Sequence, residues 1–315
     1  MNKTIDRRTF LKTSAILGCG GLVSACTRVE AASPQPWPVP PPAFKAQVAF
    51  VKTTDRVAGV KKALDLLNLR EIKGKNLFLK PNFNSADAAP GSTHPDTLST
   101  LVQALQSNGA ARITVGDRSG MGDTRGVMDQ KEIFRMADEL SFKTLVFDEL
   151  TDNDWLLQET SGSHWQQGFA VPRPVLEADG VVQTCCLKTH RYGGHFTMSL
   201  KNSVGLAAKW VPGESYNYMS ELHNSPHQRR MIAEINTAYR PDLVVIDGIE
   251  AFVDGGPDQG KKVQANVILA GTDRVALDAV GVAILRHFGT TPAVNLWGKT
   301  RFSVRPPAFS ITSHT

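Results

Sequence analysis

The chain has 315 residues, 41% hydrophobic, 21% charged and 7% aromatic, with a formal net charge of +5. That composition belongs to a globular, enzyme-sized protein and excludes a mainly disordered, collagen-like or coiled-coil chain. No apolar run reaches the roughly 18 to 20 residues that cross a bilayer, which excludes a multi-pass membrane protein. Within residues 1–26, Lys3, Arg7, Arg8 and Lys12 face Asp6 alone, so most of the excess positive charge lies there. The remainder has no basic footprint for nucleic acid.

Residues 6–12 read Asp-Arg-Arg-Thr-Phe-Leu-Lys and run into a weakly apolar stretch, 13–23, broken by Gly18, Gly20 and Gly21. A charged head followed by a short apolar segment is the layout of a removable export signal. The paired arginines before Phe-Leu-Lys resemble a twin-arginine signal. That resemblance implies the twin-arginine translocase as a partner and delivery to the periplasm or the outer side of a membrane. Two ends to the signal are written in the sequence. Leu22-Val23-Ser24-Ala25-Cys26 resembles a lipobox in which Cys26 becomes acylated, and Val29-Glu30-Ala31 is a small-residue cleavage site that would release a soluble protein. A lipid on Cys26 is then the one expected link to a membrane. Residues 27–45 are proline-rich and read as an extended spacer.

Beyond the spacer, strand and helix periods alternate. The pattern predicts a strand over 47–52, a helix over 57–69, a strand over 76–80, and a helix over 96–108 closed by Gly109. A strand over 112–115, a helix over 130–140 and a strand over 143–147 follow. Residues 148–173 are polar and read as a hairpin or an insertion. Next come a strand over 180–187 and a helix over 198–207. Residues 209–227 then form a long, aromatic-rich loop of the kind that often acts as a lid. A helix over 228–239, strands over 243–247 and 267–270 and a helix over 274–288 complete the pattern, and 297–315 shows no period and reads as an irregular tail. Apolar strands separated by helices give an α/β fold, a mainly parallel sheet with helices on both faces, in a single domain over 46–296.

In open α/β sheets, ligands gather at the carboxyl ends of the strands. Here those ends run into Lys80-Pro81-Asn82, Gly116-Asp117, Lys188-Thr189-His190 and Asp247-Gly248. Lys188 and His190, two residues apart on a strand, share a face. Read as a helix, 197–205 places Thr197, Lys201 and Gly205 at four-residue steps, with glycines just ahead that suit a phosphate or carboxylate. The candidate catalytic residues are His190 as proton carrier, Lys188 and Asp117. The candidate ligand-binding residues are Lys80, Asn82, Thr197, Lys201, Asn202 and Asp247, and the ligand they imply is an anionic small molecule. His94, Asp117 and His190, with Asp247, would supply nitrogen and oxygen ligands to a divalent metal if the fold brings them together.

Cofactor signals are otherwise sparse. The chain has four cysteines, Cys19, Cys26, Cys185 and Cys186, without a CxxC pair, so a cysteine-only iron–sulfur or zinc site lacks its ligands. Cys185 and Cys186 read as buried strand residues or, alternatively, as a vicinal disulfide. The phosphate-loop, nucleophile-elbow, HExxH, EF-hand and GxGxxG patterns are absent.

Taken in order, Lys80-Pro81-Asn82, His94-Pro95-Asp96, Gly116-Asp117, Leu187-Lys188-Thr189-His190, Thr197 with Lys201-Asn202-Ser203-Val204-Gly205, Asp247-Gly248 and Thr272-Asp273 with Ala276 and Asp278 resemble the bacterial and archaeal domain-of-unknown-function family 362. The resemblance runs over roughly 45–288 and implies no particular reaction. Some relatives carry ferredoxin-type four-cysteine modules; this chain lacks those cysteines, so their electron-transfer role does not carry over. Two classes of function fit the residues: an exported enzyme acting on an anionic small molecule, or a non-catalytic periplasmic factor that binds a ligand or cofactor for an exported redox enzyme.

Overall fold

The computed structural model describes residues 46–67, 72–159, 162–193, 195–296 and 310–314. The expected signal, Cys26, the spacer and residues 297–309 lie outside the described residues. The described residues fall in one compact unit, Pro42–Thr315.

Strand β1 (Gln47–Lys52) leads to helix α1 (Arg56–Leu67), β2 (Asn76–Lys80), α2 (Pro95–Ser107) and β3 (Arg112–Asp117). Helices α3 (Thr124–Gln130) and α4 (Ile133–Leu140) precede β4 (Lys143–Val146), and β5 (Trp155–Gln158) pairs with β6 (Phe169–Pro172). Then come α5 (Arg173–Leu176), β7 (Gly180–His190), β8 (His195–Thr197), α6 (Ser199–Asn202), α7 (Tyr218–Asn224) and α8 (Gln228–Ile235). The chain continues through β9 (Leu243–Gly255), β10 (Gly260–Gly271), α9 (Arg274–His287), α10 (Pro292–Leu296) and β11 (Ser310–His314).

The main sheet has the order β11-β1-β10-β9-β7-β2-β3-β4, with β8 attached to β7. Pairings β9–β7, β7–β2, β2–β3 and β3–β4 are parallel, and β1–β10 and β10–β9 are antiparallel. The mainly parallel α/β sheet expected from the sequence is the fold of the described residues. Strand β7 lies between β2 and β9 and is buried along its whole length, which is why it reads as an unbroken apolar run. Side-chain alternation splits the core. Leu77, Leu79, Val182 and Val245 pack with α1, α2 and α4 on one face. Phe78 and Val181 pack on the other against α8, and Val244, Ile246 and Leu269 pack there against α9. Among the described residues no helix is long and apolar enough to cross a membrane.

Several segments depart from the periodic reading. The expected helix over 130–140 begins only at Ile133, because Glu132 adopts a left-handed backbone (φ 55°) that separates it from α3. The expected helix over 228–239 stops at Ile235, where the Asn236 side chain donates to Leu200 and Ser203 instead. Residues 198–207 form the single turn α6 and a 3-10 turn over Ser203–Leu206, and Thr197 ends β8 rather than opening a helix. Residues 148–173 contain the β5–β6 hairpin, and 209–227 contain α7. The tail expected to be irregular holds β11, which runs parallel to β1 at the sheet edge. Its five residues, Ser-Ile-Thr-Ser-His, include a single strongly apolar one, so no alternating period shows.

The β9–β10 pair changes most. Read as two short strands, they form a hairpin of 13 and 12 residues. The outer half of β10 is exposed, so Lys261, Lys262 and Gln264 conceal a strand that has no apolar cover. The hairpin turns back at Gly255 and Gly256, both with positive φ, and a Cβ on Gly256 would lie 2.0 Å from the Thr189 carbonyl oxygen. Only glycine lets that turn approach β7 so closely.

Candidate active site

The ends of β2, β3 and β7, the β8–α6 turn and the 209–227 segment enclose one cleft of about 540 Å³. Lys80, Asn82, Asp117, Lys188, His190, Thr197, Lys201 and Asn202 all line it. Eight of the candidate residues read from the sequence are thus brought together, as strand-end geometry requires of neighbouring parallel strands.

Two of the three candidate lysines are saturated. Lys80 Nζ lies 2.6 Å from Asp117 Oδ1 and donates to the Pro81 carbonyl (2.8 Å) and Asn202 Oδ1 (3.2 Å). Lys188 Nζ donates to the Gly91 carbonyl (2.5 Å), Asn82 Oδ1 (3.0 Å) and the Pro257 carbonyl (3.1 Å). An ammonium has three N–H donors, and in each case three oxygens take them. Burial pushes both lysines below their ordinary value, but an all-acceptor shell demands the charged form. Asn82 Nδ2 reaches Asn202 Oδ1 (3.4 Å), and Asn202 Nδ2 donates to the Thr184 carbonyl. The two asparagines therefore tie the two ammonium groups into one buried network.

Asp117 anchors that network. Its carboxylate also accepts the backbone N–H groups of Phe83 and Arg118, each at 2.7 Å. Gly205 rests on the ion pair: a Cβ there would lie 2.6 Å from Asp117 Oδ1 and 2.7 Å from Lys80 Nζ. Arg118, buried, holds this turn in place by donating to the Val204 (2.7 Å) and Ala207 (2.8 Å) carbonyls.

Lys201 is different. It comes from α6, and among the described residues its Nζ meets only His190 Nε2, at 3.0 Å. Burial first, then the positive Lys188 and Arg118, lower its pKa to about 7. His190 is pushed down to about 2, by burial first and then by Lys201 and Lys188. The turn carrying Lys201 is held by buried Asp278, which accepts from Ser199 N (2.8 Å), Ser199 Oγ (2.5 Å) and Leu200 N (3.0 Å). Burial raises Asp278 to about 6. Thr197 Oγ1 and Asn84 Nδ2, both on the cleft, are buried and have no hydrogen-bond partner among the described residues. Such orphaned atoms mark where a ligand can supply the missing partner.

Two candidate residues fall elsewhere. Asp247 is not at a strand end, because β9 runs on to Gly255. Its side chain meets the α1 and α2 layer, accepting from Arg56 Nε (2.9 Å) and Thr97 Oγ1 (2.7 Å). His94 caps α2, its Nδ1 accepting the Asp96 N–H at 3.1 Å. The expected metal set of His94, Asp117 and His190 is accordingly not assembled. Among the described residues no group of three or more His, Cys, Asp or Glu is placed to hold a metal ion. Cys185 and Cys186 are free and buried, with thiols pushed up by burial, Cys186 to about 12. As consecutive strand residues they face opposite sides, which disfavours a bridge.

The sequence reading missed Arg118, Asn84 and the role of Asp278. Asp117-Arg118 at a strand end was visible, but which carbonyls the guanidinium would reach depends on a turn some 90 positions away.

Comparison with known proteins gives a relative and a structural neighbour. The chain is 27% identical over 244 residues to a thylakoid-associated protein of Synechocystis sp., covering 76% of this chain and 71% of that one. The lactate racemase apoprotein from Thermoanaerobacterium thermosaccharolyticum superimposes with a TM-score of 0.47 at 16% identity, over 75% of this chain and 57% of that one. Residues 77–283 match the model of the family described as Domain of unknown function (DUF362), a span that holds every residue of the cleft, and the chain belongs to that family.

Proposed function

We propose that the cleft is the active site of an enzyme that acts on a small anionic molecule carrying a carboxylate or phosphate. One observation carries this reading. Lys80, Arg118, Lys188, Lys201 and Lys209 line the cleft against Asp117 as the one acidic lining residue, and Asp117 is committed to Lys80. Two ammonium groups locked in place supply a fixed positive field without rearranging, which is the preorganised electrostatics that catalysis exploits. Lys201, Thr197 and Asn84 retain capacity for direct contact. In this reading Lys80, Lys188, Asn82 and Asn202 shape the field, and Lys201 with His190 meets the substrate.

Calorimetric titration with pyruvate and with inorganic phosphate tests the binding step. At least one is expected to bind the native protein, and Lys201→Met is expected to weaken it by about tenfold, as loss of a hydrogen bond in a desolvated site does. Failure of both anions to bind, or equal binding by the variant, counts against the reading.

We further propose that the leader directs this domain to the periplasm through the twin-arginine translocase. Replacing Arg7 and Arg8 together by lysine is expected to leave the full-length protein in the cytoplasm, read by fractionation; unchanged export would remove this part of the proposal.

A further inference from the structure

His190 determines the protonation state of its neighbour. Its Nδ1 lies 3.2 Å from the Tyr192 backbone nitrogen. A backbone N–H can only donate, so Nδ1 is the acceptor and the ring proton resides on Nε2. Nε2 in turn lies 3.0 Å from Lys201 Nζ. With Nε2–H as the donor, Nζ must present a lone pair, and an ammonium has none. Lys201 is therefore a free amine while Lys80 and Lys188, each facing three oxygen acceptors, are ammonium ions. The lowering of Lys201 by burial and by Lys188 points the same way.

A desolvated lysine beside fixed cations is the arrangement that activates an amine as a nucleophile. We propose that Lys201 is a catalytic amine that captures the carbonyl group of an anionic oxo compound, in the simplest case an oxo acid, as a Schiff base. The inference rests on the anion-binding reading of the same cleft. The Nζ lone pair attacks the carbonyl carbon, a C–N bond forms and the C=O π pair moves onto oxygen. Both amine hydrogens then leave with that oxygen as water, and C=N remains. The step needs no oxidant, reductant or co-reactant. His190 acts by donation: once Nζ has become bonded to carbon, Nε2–H is free to hold the departing oxygen, and the Tyr192 N–H keeps the ring in that tautomer. The unpaired Thr197 Oγ1 and Asn84 Nδ2 are available to the anionic group.

The test uses the full chain with pyruvate and sodium cyanoborohydride near neutral pH, followed by peptide mass mapping. The reduced adduct is expected on Lys201, accumulating at least about tenfold faster than on exposed Lys61, because only the free amine attacks a carbonyl. His190→Gln, which retains a donor, is expected to keep the adduct at a lower rate, and Lys201→Arg to abolish it. Pyruvate that binds by calorimetry but gives no adduct on Lys201, or one no faster than on Lys61, overturns the amine assignment and leaves the anion site standing. No adduct with phosphate alone bound overturns the amine assignment only, and no adduct with neither pyruvate nor phosphate bound overturns both.

Discussion

Asp117→Asn is expected to destabilise the protein by about 3–5 kcal/mol, the range for breaking a buried ion pair from one side. Asp117 and Lys80 are each about 1% exposed and 2.6 Å apart. The amide would put an N–H₂ group against an ammonium or a backbone N–H, since both carboxylate oxygens already accept. Lys80 would be left charged in a dry site or forced to give up its proton and one of its oxygen partners. Urea unfolding reads the loss. Replacing the pair with Lys80→Met and Asp117→Leu is expected to recover only part of the stability, because the uncompensated charge goes with its partner while the Phe83 and Arg118 N–H groups lose their acceptor. Gly205→Ala should act on the same knot, since its new methyl would collide with both Asp117 Oδ1 and Lys80 Nζ. A cost below about 1 kcal/mol for Asp117→Asn would mean that the pair is not the anchor of the strand-end rim.

Lys201→Met is expected to stabilise the protein, and the gain should depend on pH in a defined direction. Lys201 titrates at about 7 in the folded protein against an ordinary 10.5. Between those values the unfolded chain binds a proton that the native protein does not, so native stability rises with pH across this window. Below about 7 the native state must protonate a desolvated lysine, and the penalty is felt in full. The variant should therefore gain most at and below neutral pH, by roughly 2–4 kcal/mol after allowance for solvent near a half-buried group. The gain should fade toward the ordinary lysine value. Unfolding curves at about pH 6, 8 and 10 measure this; a gain that is constant or grows with pH contradicts the free amine. Lost ligand affinity in the same variant would show a site that sacrifices stability for function, as strained sites commonly do.

Much of this protein is legible from its residues. The parallel core strands announce themselves because burial on both faces leaves an apolar run: β2 has the bounds its pattern predicts, and β7 extends past its apolar run by three residues, Lys188 to His190. Those three polar residues end the apolar signal but not the hydrogen-bond ladder, which continues into β8. Asp247 misled for the same reason. Polarity at a strand position reads as an end, yet β9 passes straight through it because Arg56 and Thr97 satisfy the carboxylate from the helix layer.

What the sequence determined by itself was the fold class, the family and eight of the residues that line the cleft, since backbone periodicity and short motifs are local properties. The tertiary structure alone decided how the polar groups divide their labour. Three lysines of the same type became two saturated ammonium ions and one amine. That division is set by how many oxygen atoms surround each nitrogen, and those oxygens come from segments up to 122 positions apart. Charge state in a desolvated site is a property of the neighbours, and neighbours are chosen by folding.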